Sequence, residues 1–428
     1  MVLLAIPVLA LLAILIYNLP PVHDRLAWRV DNLRTSIKYS LNPPEEVVFI
    51  PGGQGTAGPG TQIPTESPSP TTTPTPTQAG PTSTPAPSLT PTATSTPLPA
   101  TFKLDGVHYE DQHGRLNYCG PSNLSMALTF WGWDGNRDVV GQAIKPGVDD
   151  KNVMPYEMQD FIASHTDLDS IERVGGDIEL VKDLVANGFP VILEKGTFLT
   201  DLAGDYSWMG HYQLVTGYDD EQQILIVQDT YVGADHEMSY ADINQGWRAF
   251  DYLYLVPYPP EKEAEVMAIL GPRADETYSA QLAAQRASDE IYSAEDSSSL
   301  YFAWFNRGTS LMMLQDYAGA AAAYDEAFAN TYPTIPEQDR PWRMMWYQTG
   351  PYWAYYYTGR YYDVINLATT TLDAMSKPVL EESFYWRALA REALGDTPGA
   401  TADLQQAVRL NPNFTAGETQ LARLQGGG

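Results

Sequence analysis

The chain has 428 residues, enough for two or three domains at roughly 100 to 200 residues each. Its 53 Asp and Glu outnumber 25 Lys and Arg for a formal net charge of -28, carried almost entirely beyond residue 100; such a field repels phosphate backbones and argues against nucleic acid as a partner. One cysteine, Cys119, cannot form an internal disulfide.

Residues 1–19 read as a transmembrane anchor, because residues 2–17 are uncharged and apolar and Asn18-Leu19-Pro20-Pro21 offers no small-x-small cleavage site. The four basic residues that follow, Arg25, Arg29, Arg34 and Lys38, favour a cytoplasmic downstream side by the positive-inside tendency. In residues 20–50 they interleave with Leu26, Trp28, Val30, Leu33 and Ile37, as in a juxtamembrane amphipathic helix. Residues 51–100 hold thirteen prolines, no Lys or Arg and one acid, Glu66, so they build no core and form a disordered linker. Thr/Ser/Pro stalks of this composition are commonly external, which outweighs the charge tendency and places the remainder outside the cytoplasm, at a cell surface, held off the membrane.

Residues 101–258 mix helix and strand signals. Cys119-Gly120-Pro121-Ser122 opens an apolar helical face through Leu124, Ala127, Leu128 and Trp131; helical patterns recur near Tyr156 to Ile162 and from Ile178 to Asn187. Strands are expected over Pro190–Glu194, His211–Gly217, Gln223–Asp229 and Arg248–Pro257, giving an α+β domain. Residues 259–428 are helical and repetitive. Trp304, Gly308, Leu311, Tyr317, Ala320, Tyr324, Ala327 and Pro333 alternate small and aromatic positions as two closely packed antiparallel helices require, and Phe384, Ala388, Ala400, Leu404, Ala407 and Pro412 repeat the pattern. A degraded copy around Gly359-Arg360-Tyr361-Tyr362 lies between them. The spacing over roughly 300–415 resembles tetratricopeptide (TPR) repeats, which implies an all-α domain that binds a protein partner.

A lone thiol at a helix start is a candidate nucleophile, since the positive end of the helix favours the thiolate. It needs a base and a group to orient that base. Of six histidines, His211 stands at the head of a strand that turns through Tyr218 to Gln222 and returns to Val227-Gln228-Asp229. A hairpin centred on Asp220 sets His211 opposite Asp229, on the same face. Asp134-Gly135-Asn136-Arg137-Asp138 lacks the glycine and terminal glutamate of a calcium loop and reads as a surface turn. No phosphate loop or multi-His/Cys cluster appears, and no cofactor is expected.

Gln112, Cys119-Gly120-Pro121-Ser122, Pro190-Val191-Ile192, Gly210 to Tyr218 and Asp229 together make residues 105–257 similar to the papain-like C39 peptidases, in their C39-like branch. The resemblance implies Cys119 as nucleophile, His211 as general base and acid, Asp229 as the orienting residue and Gln112 as an oxyanion donor. Gln112 precedes the cysteine by seven positions where six is usual, and Thr230 follows Asp229 where proline is common. Tyr118 and Trp208 flank the site in sequence and are candidates to line it. The expected protein is a membrane-tethered cysteine peptidase of peptide or protein substrates. An inactive papain-like binding module on a TPR scaffold and a cell-wall peptide hydrolase are the rivals.

Overall fold

The computed structural model describes residues 20–52, 97–145 and 149–426, together with Tyr17, with side chains from Arg29 onward in the first segment. The expected anchor and most of the Pro/Thr segment lie outside these residues. Among the described residues no helix is long and apolar enough to cross a membrane.

A seven-stranded antiparallel sheet forms the centre of residues 101–258: β1 (Thr101–Lys103), β2 (Asp169–Arg173), β3 (Val191–Thr200), β4 (Tyr206–Asp219), β5 (Ile224–Asp229), β6 (Gly233–Ser239) and β7 (Tyr254–Tyr258). The order is β2-β7-β3-β4-β5-β6, and the long β4 pairs with β3 along its first part and with β1 beyond it. Alternation along the strands supplies two cores. Ile192, Tyr212, Leu214 and Leu255 pack under α2 (Cys119–Phe130), α3 (Arg137–Ile144) and α4 (Pro155–His165). Val191, Leu193, Val215 and Val256 pack under α5 (Ile178–Ala186) and Trp247 of α6 (Tyr240–Trp247). Strands β1, β2 and β6 were not expected, and the expected strand from Arg248 starts only at Tyr254, because Arg248–Phe250 forms a helical turn. The turn at Asp134–Asp138 is the start of α3, with the Asn136 side chain accepting from the Asp138 and Val139 amides.

The C-terminal region is helical, and antiparallel pairs recur in it. They are α9 (Ser297–Met313) with α10 (Tyr317–Asp325), α11 (Gly350–Tyr357) with α12 (Tyr361–Ala374), and α13 (Glu381–Ala393) with α14 (Thr397–Leu410), preceded by α7 (Glu263–Leu270) and α8 (Glu276–Ser293) and followed by α15 (Thr415–Gly426). Each pair turns through a left-handed residue, Gln315, Gly359 or Gly395. In the outer two, Asp316 and Asp396 cap the second helix through the Gly319 and Gly399 amides at 2.9 and 3.0 Å. The degraded copy has Arg360 there, and it bonds Asp363 instead. Gly308 is small because a Cβ there would lie 2.6 Å from the Tyr324 ring.

The two regions share one core. Trp208, Ala249 and Phe250 of the sheet domain join Phe302, Phe305, Tyr347 and Tyr355 in a single buried cluster. Helix α1 (Pro20–Leu41) and the chain after it lie across this seam rather than free of it. The Ser36 hydroxyl donates to Ala203 O, the Tyr39 ring meets Trp342 edge-on at 5.6 Å, Phe49 enters the shared core, and Gly52 N donates to Asp363 at 2.8 Å. The chain resumes at Pro97 on the same body, where Pro99 O accepts from the Tyr218 hydroxyl.

At the seam Arg343 pairs with Asp201 at 2.9 Å, with side chains only 3% and 2% exposed, and also donates to Ser207. Removing one partner of such a pair strands a buried charge, which costs about 3 to 5 kcal/mol. Arg343→Met is therefore expected to lower the denaturant midpoint by an amount equivalent to about 3 kcal/mol, and Asp201→Asn added to it to recover part of that loss.

Candidate active site

Cys119 is the first residue of α2 and is half-buried. Asn117 before it takes a left-handed φ of 49°, which turns the incoming loop into the helix. The helix cannot shift along the sheet: the buried Asn123 amide donates to Cys119 O at 2.9 Å and across to Tyr212 O at 2.8 Å, and a Cβ on Gly120 would touch Val153 at 3.0 Å. Cys119 is thereby held against β4 beside His211. The first amides of a helix have no carbonyl partner within it, so the Cys119 N–H is not used by the helix itself.

His211, 2% exposed, and Asp229, 4% exposed, meet at 3.0 Å between Nε2 and Oδ1. The pairing differs from the expected direct opposition. Observed partners are Leu214 with Gln228 and Val215 with Val227, so the numbers sum to 442 and not to the expected 440. The register carried one step further sets Gln213 opposite Asp229, and His211 is its diagonal neighbour on the same face. Gln213 Nε2 donates to Asp229 Oδ2, while the Tyr231 and Val232 amides donate to Oδ1 at 2.9 and 3.0 Å. Burial pushes the Asp229 carboxyl up, but the His211 charge and these donors outweigh it and hold the group far below the usual carboxylate range.

His211 Nδ1, the remaining ring nitrogen, is buried without a hydrogen-bond partner and lies on the Cys119 side. Burial disfavours the imidazolium, yet the Asp229 carboxylate and the neighbouring sulfur raise its pKa to about 9. For Cys119 burial acts upward, and contact with His211, with smaller help from the Tyr212 and Gly120 amides, brings the thiol below its ordinary value. The two shifts have a shared cause, each group favouring the charged form of the other.

A cavity of about 260 Å³ opens over this pair. One side is the Gln112–Asn117 loop with Tyr231, and the other is Leu199–Leu202 with Met209 and Gly210. The remaining wall comes from outside the sheet domain, as Arg343, Trp346 and Tyr347 of the helical region and Asn32 of α1. Gly210 permits this approach, since a Cβ there would lie 2.7 Å from Phe250 and 2.8 Å from Tyr347. Gln112 lines the cavity with its Oε1 accepting from the Thr230 hydroxyl at 2.7 Å.

All four residues singled out from sequence, Cys119, His211, Asp229 and Gln112, converge here. Tyr118 and Trp208 do not line the cavity: Tyr118 packs against Gly141, where a Cβ would be 1.9 Å from its hydroxyl, and Trp208 belongs to the seam. Of the other histidines, His113 stands exposed on the cavity rim, His165 stacks on Phe161 and His236 lies in β6. Gln213 was overlooked although its position two residues beyond His211 puts it on the same strand face. Arg343 carries no local signal, because only the tertiary fold brings it to the cavity. Among the described residues no group of His, Cys, Asp and Glu is arranged to hold a metal ion.

Asp229→Asn removes the charge that keeps His211 protonated while keeping the carbonyl acceptor. The imidazole pKa, followed by NMR titration, is expected to drop from about 9 toward the ordinary value near 6.5.

Residues 104–255 match the model of the Peptidase_C39 like family. A crystal structure of a candidate C39-like peptidase from Bacillus anthracis is 16% identical, with a TM-score of 0.31, covering 37% of this chain and 96% of that one. No curated protein matches. The helical region, residues 259–428, matches no TPR family model. By the family match, residues 104–255 are a C39-like peptidase domain.

Proposed function

We propose that the protein is a cysteine peptidase in which Cys119, His211 and Asp229 act as the catalytic set. The observation that carries the reading is the buried chain of contacts from the Asp229 carboxylate through His211 to the half-buried thiol at a helix start, opening on a cavity. In the acylation step the Cys119 thiolate attacks the scissile carbonyl, and the C=O electron pair moves onto oxygen. That oxyanion is received by the Cys119 N–H and the Gln112 Nε2–H. Collapse expels the amine, which takes its proton from His211 Nδ1, and leaves a thioester on Sγ. In the second step Nδ1 takes a proton from water, hydroxide adds to the thioester, and the acid departs with regeneration of the thiolate. Asp229 holds the ring orientation and stabilises the imidazolium throughout.

The substrate is a peptide or protein, and the helical region supplies partner or substrate contacts in the manner of TPR repeats. Support comes from the recurring left-handed turns and Asp caps, and from an exposed aromatic row in which Tyr317 stacks on Tyr357 at 4.6 Å beside Trp353. Membrane attachment through residues 1–19, with the folded body outside the cytoplasm, belongs to the same proposal. It is supported by α1, which buries Thr35 and Tyr39 against the body while Val30, Leu33, Ile37 and Leu41 form an outward apolar stripe, 44 to 73% exposed.

In the full chain, iodoacetamide is expected to alkylate Cys119 at neutral pH at a rate that falls about tenfold or more in His211→Ala. Equal labelling of the two proteins overturns the reading. Peptide hydrolysis is expected to follow a bell-shaped pH profile. His211 has its pKa raised, so the proton donor is complete below about 9 and is lost as pH rises through it, while the acid limb marks reprotonation of the Cys119 thiolate.

A further inference from the structure

The oxyanion donor named above needs its amide turned one way. An amide that presents its oxygen to the cavity would repel the developing charge, and in an exposed loop the side chain is free to choose. In this structure the oxygen is turned to the residue immediately after Asp229. Thr230 is fully buried, and its hydroxyl donates to Gln112 Oε1 at 2.7 Å. Its carbonyl accepts from the Gln112 backbone N–H at 2.9 Å, so the two residues are locked at two points. With Oε1 held, Nε2 on the other side of the amide carbon has no protein partner and is left for the cavity that Gln112 shares with Cys119 and His211. The sequence oddities then explain each other. Gln112 sits one residue further from Cys119 than usual, in a loop that turns through the Arg115 amide to Gln112 O, and a threonine stands where a proline could not have donated.

We propose that Thr230 is a positioning residue for the oxyanion hole, setting the Gln112 amide with its N–H groups toward the reacting carbonyl. The inference rests on the peptidase reading. It makes the end of β5 serve both halves of the chemistry, since Asp229 orients the base and Thr230 orients the oxyanion donor.

Thr230→Val removes the hydroxyl and keeps the shape. Two reactions of the full-length protein separate the proposal from a general disturbance. Alkylation of Cys119 by iodoacetamide displaces iodide and develops no oxyanion, whereas acyl transfer from p-nitrophenyl acetate passes through one. The expected result for Thr230→Val is unchanged alkylation, melting temperature and alkaline limb, with kcat for the ester lowered roughly 10- to 100-fold and little change in KM. Thr230→Ser is expected to restore kcat, and Gln112→Ala to lower it by a similar factor that Thr230→Val does not deepen. A Thr230→Val protein that keeps kcat within twofold overturns the proposal. So does loss of ester turnover and alkylation together, or failure of serine to rescue, either of which marks a structural role. A full effect of Thr230→Val in a protein where Gln112→Ala has none also overturns it. Failure of the wild-type chain to alkylate at Cys119 would instead remove the peptidase reading beneath it.

Discussion

The proposed chemistry depends on one extra residue in one strand pair. Near the turn, Gly217 pairs with Ile226 and Asp219 with Ile224, a register in which the numbers sum to 443. Continued to the far end, it would set Leu214 opposite Asp229 and turn His211 to the other face of the sheet. The irregularity between Val215 and Gly217 absorbs Thr216 and shifts the sum to 442, which restores the shared face. The bulge is fixed by its surroundings: Thr216 is fully buried, its hydroxyl accepts from Gln228 at 3.0 Å, and its carbonyl accepts from Leu104 N at 2.7 Å. Strand β1 follows so closely that a Cβ on Gly217 would lie 2.7 Å from Phe102 O. Contact between base and carboxylate thus depends on packing around Thr216, which touches neither of them.

A second constraint is the seam. The helical region does not hang from the sheet domain as a separate module: it supplies a wall of the cavity through Arg343, Trp346 and Tyr347, and Arg343 pairs there with Asp201. The buried Lys151 shows the same fusion at another point, donating to Glu157 of the sheet domain and to Glu381 of the helical region, with Asn411 donating to Glu381 at 2.7 Å. The cavity over Cys119 and His211 is therefore a property of the assembled chain.

How much of this was legible in the sequence follows from the range of the interactions. Cys119 was legible because helix starts announce themselves locally, and His211 and Asp229 because a short hairpin couples them. Even there the register was two residues off, because the hairpin centres between Glu221 and Gln222 and not on Asp220, and the right face was reached only because the bulge at Thr216, unmarked among ordinary β-formers, takes back one residue of that slip. The helix pairs were visible in the spacing of Gly308, Tyr324 and their counterparts, where packing repeats within forty residues or so. Strand β6, with polar Asp235, His236 and Glu237, lacks an apolar alternation to betray it. Arg343, Asp201 and Asn32 were illegible for a different reason: no pattern in one segment states which distant segment will cover it.

The strap formed by α1 and the residues after it changes what the proline-rich stretch can do. Gly52, bonded to Asp363, and Pro99, bonded to Tyr218, fix both described ends of the stretch between them on the same body. A stretch fixed to one body at both ends adds nothing to the distance between residues 1–19 and that body, whatever its length. If residues 1–19 hold the chain in a bilayer, the measure from lipid to cleft is the helix from Pro20 to Asn32, about 18 Å at 1.5 Å per residue. On that condition the leash would be short, and it would be set by α1 and not by the proline-rich stretch.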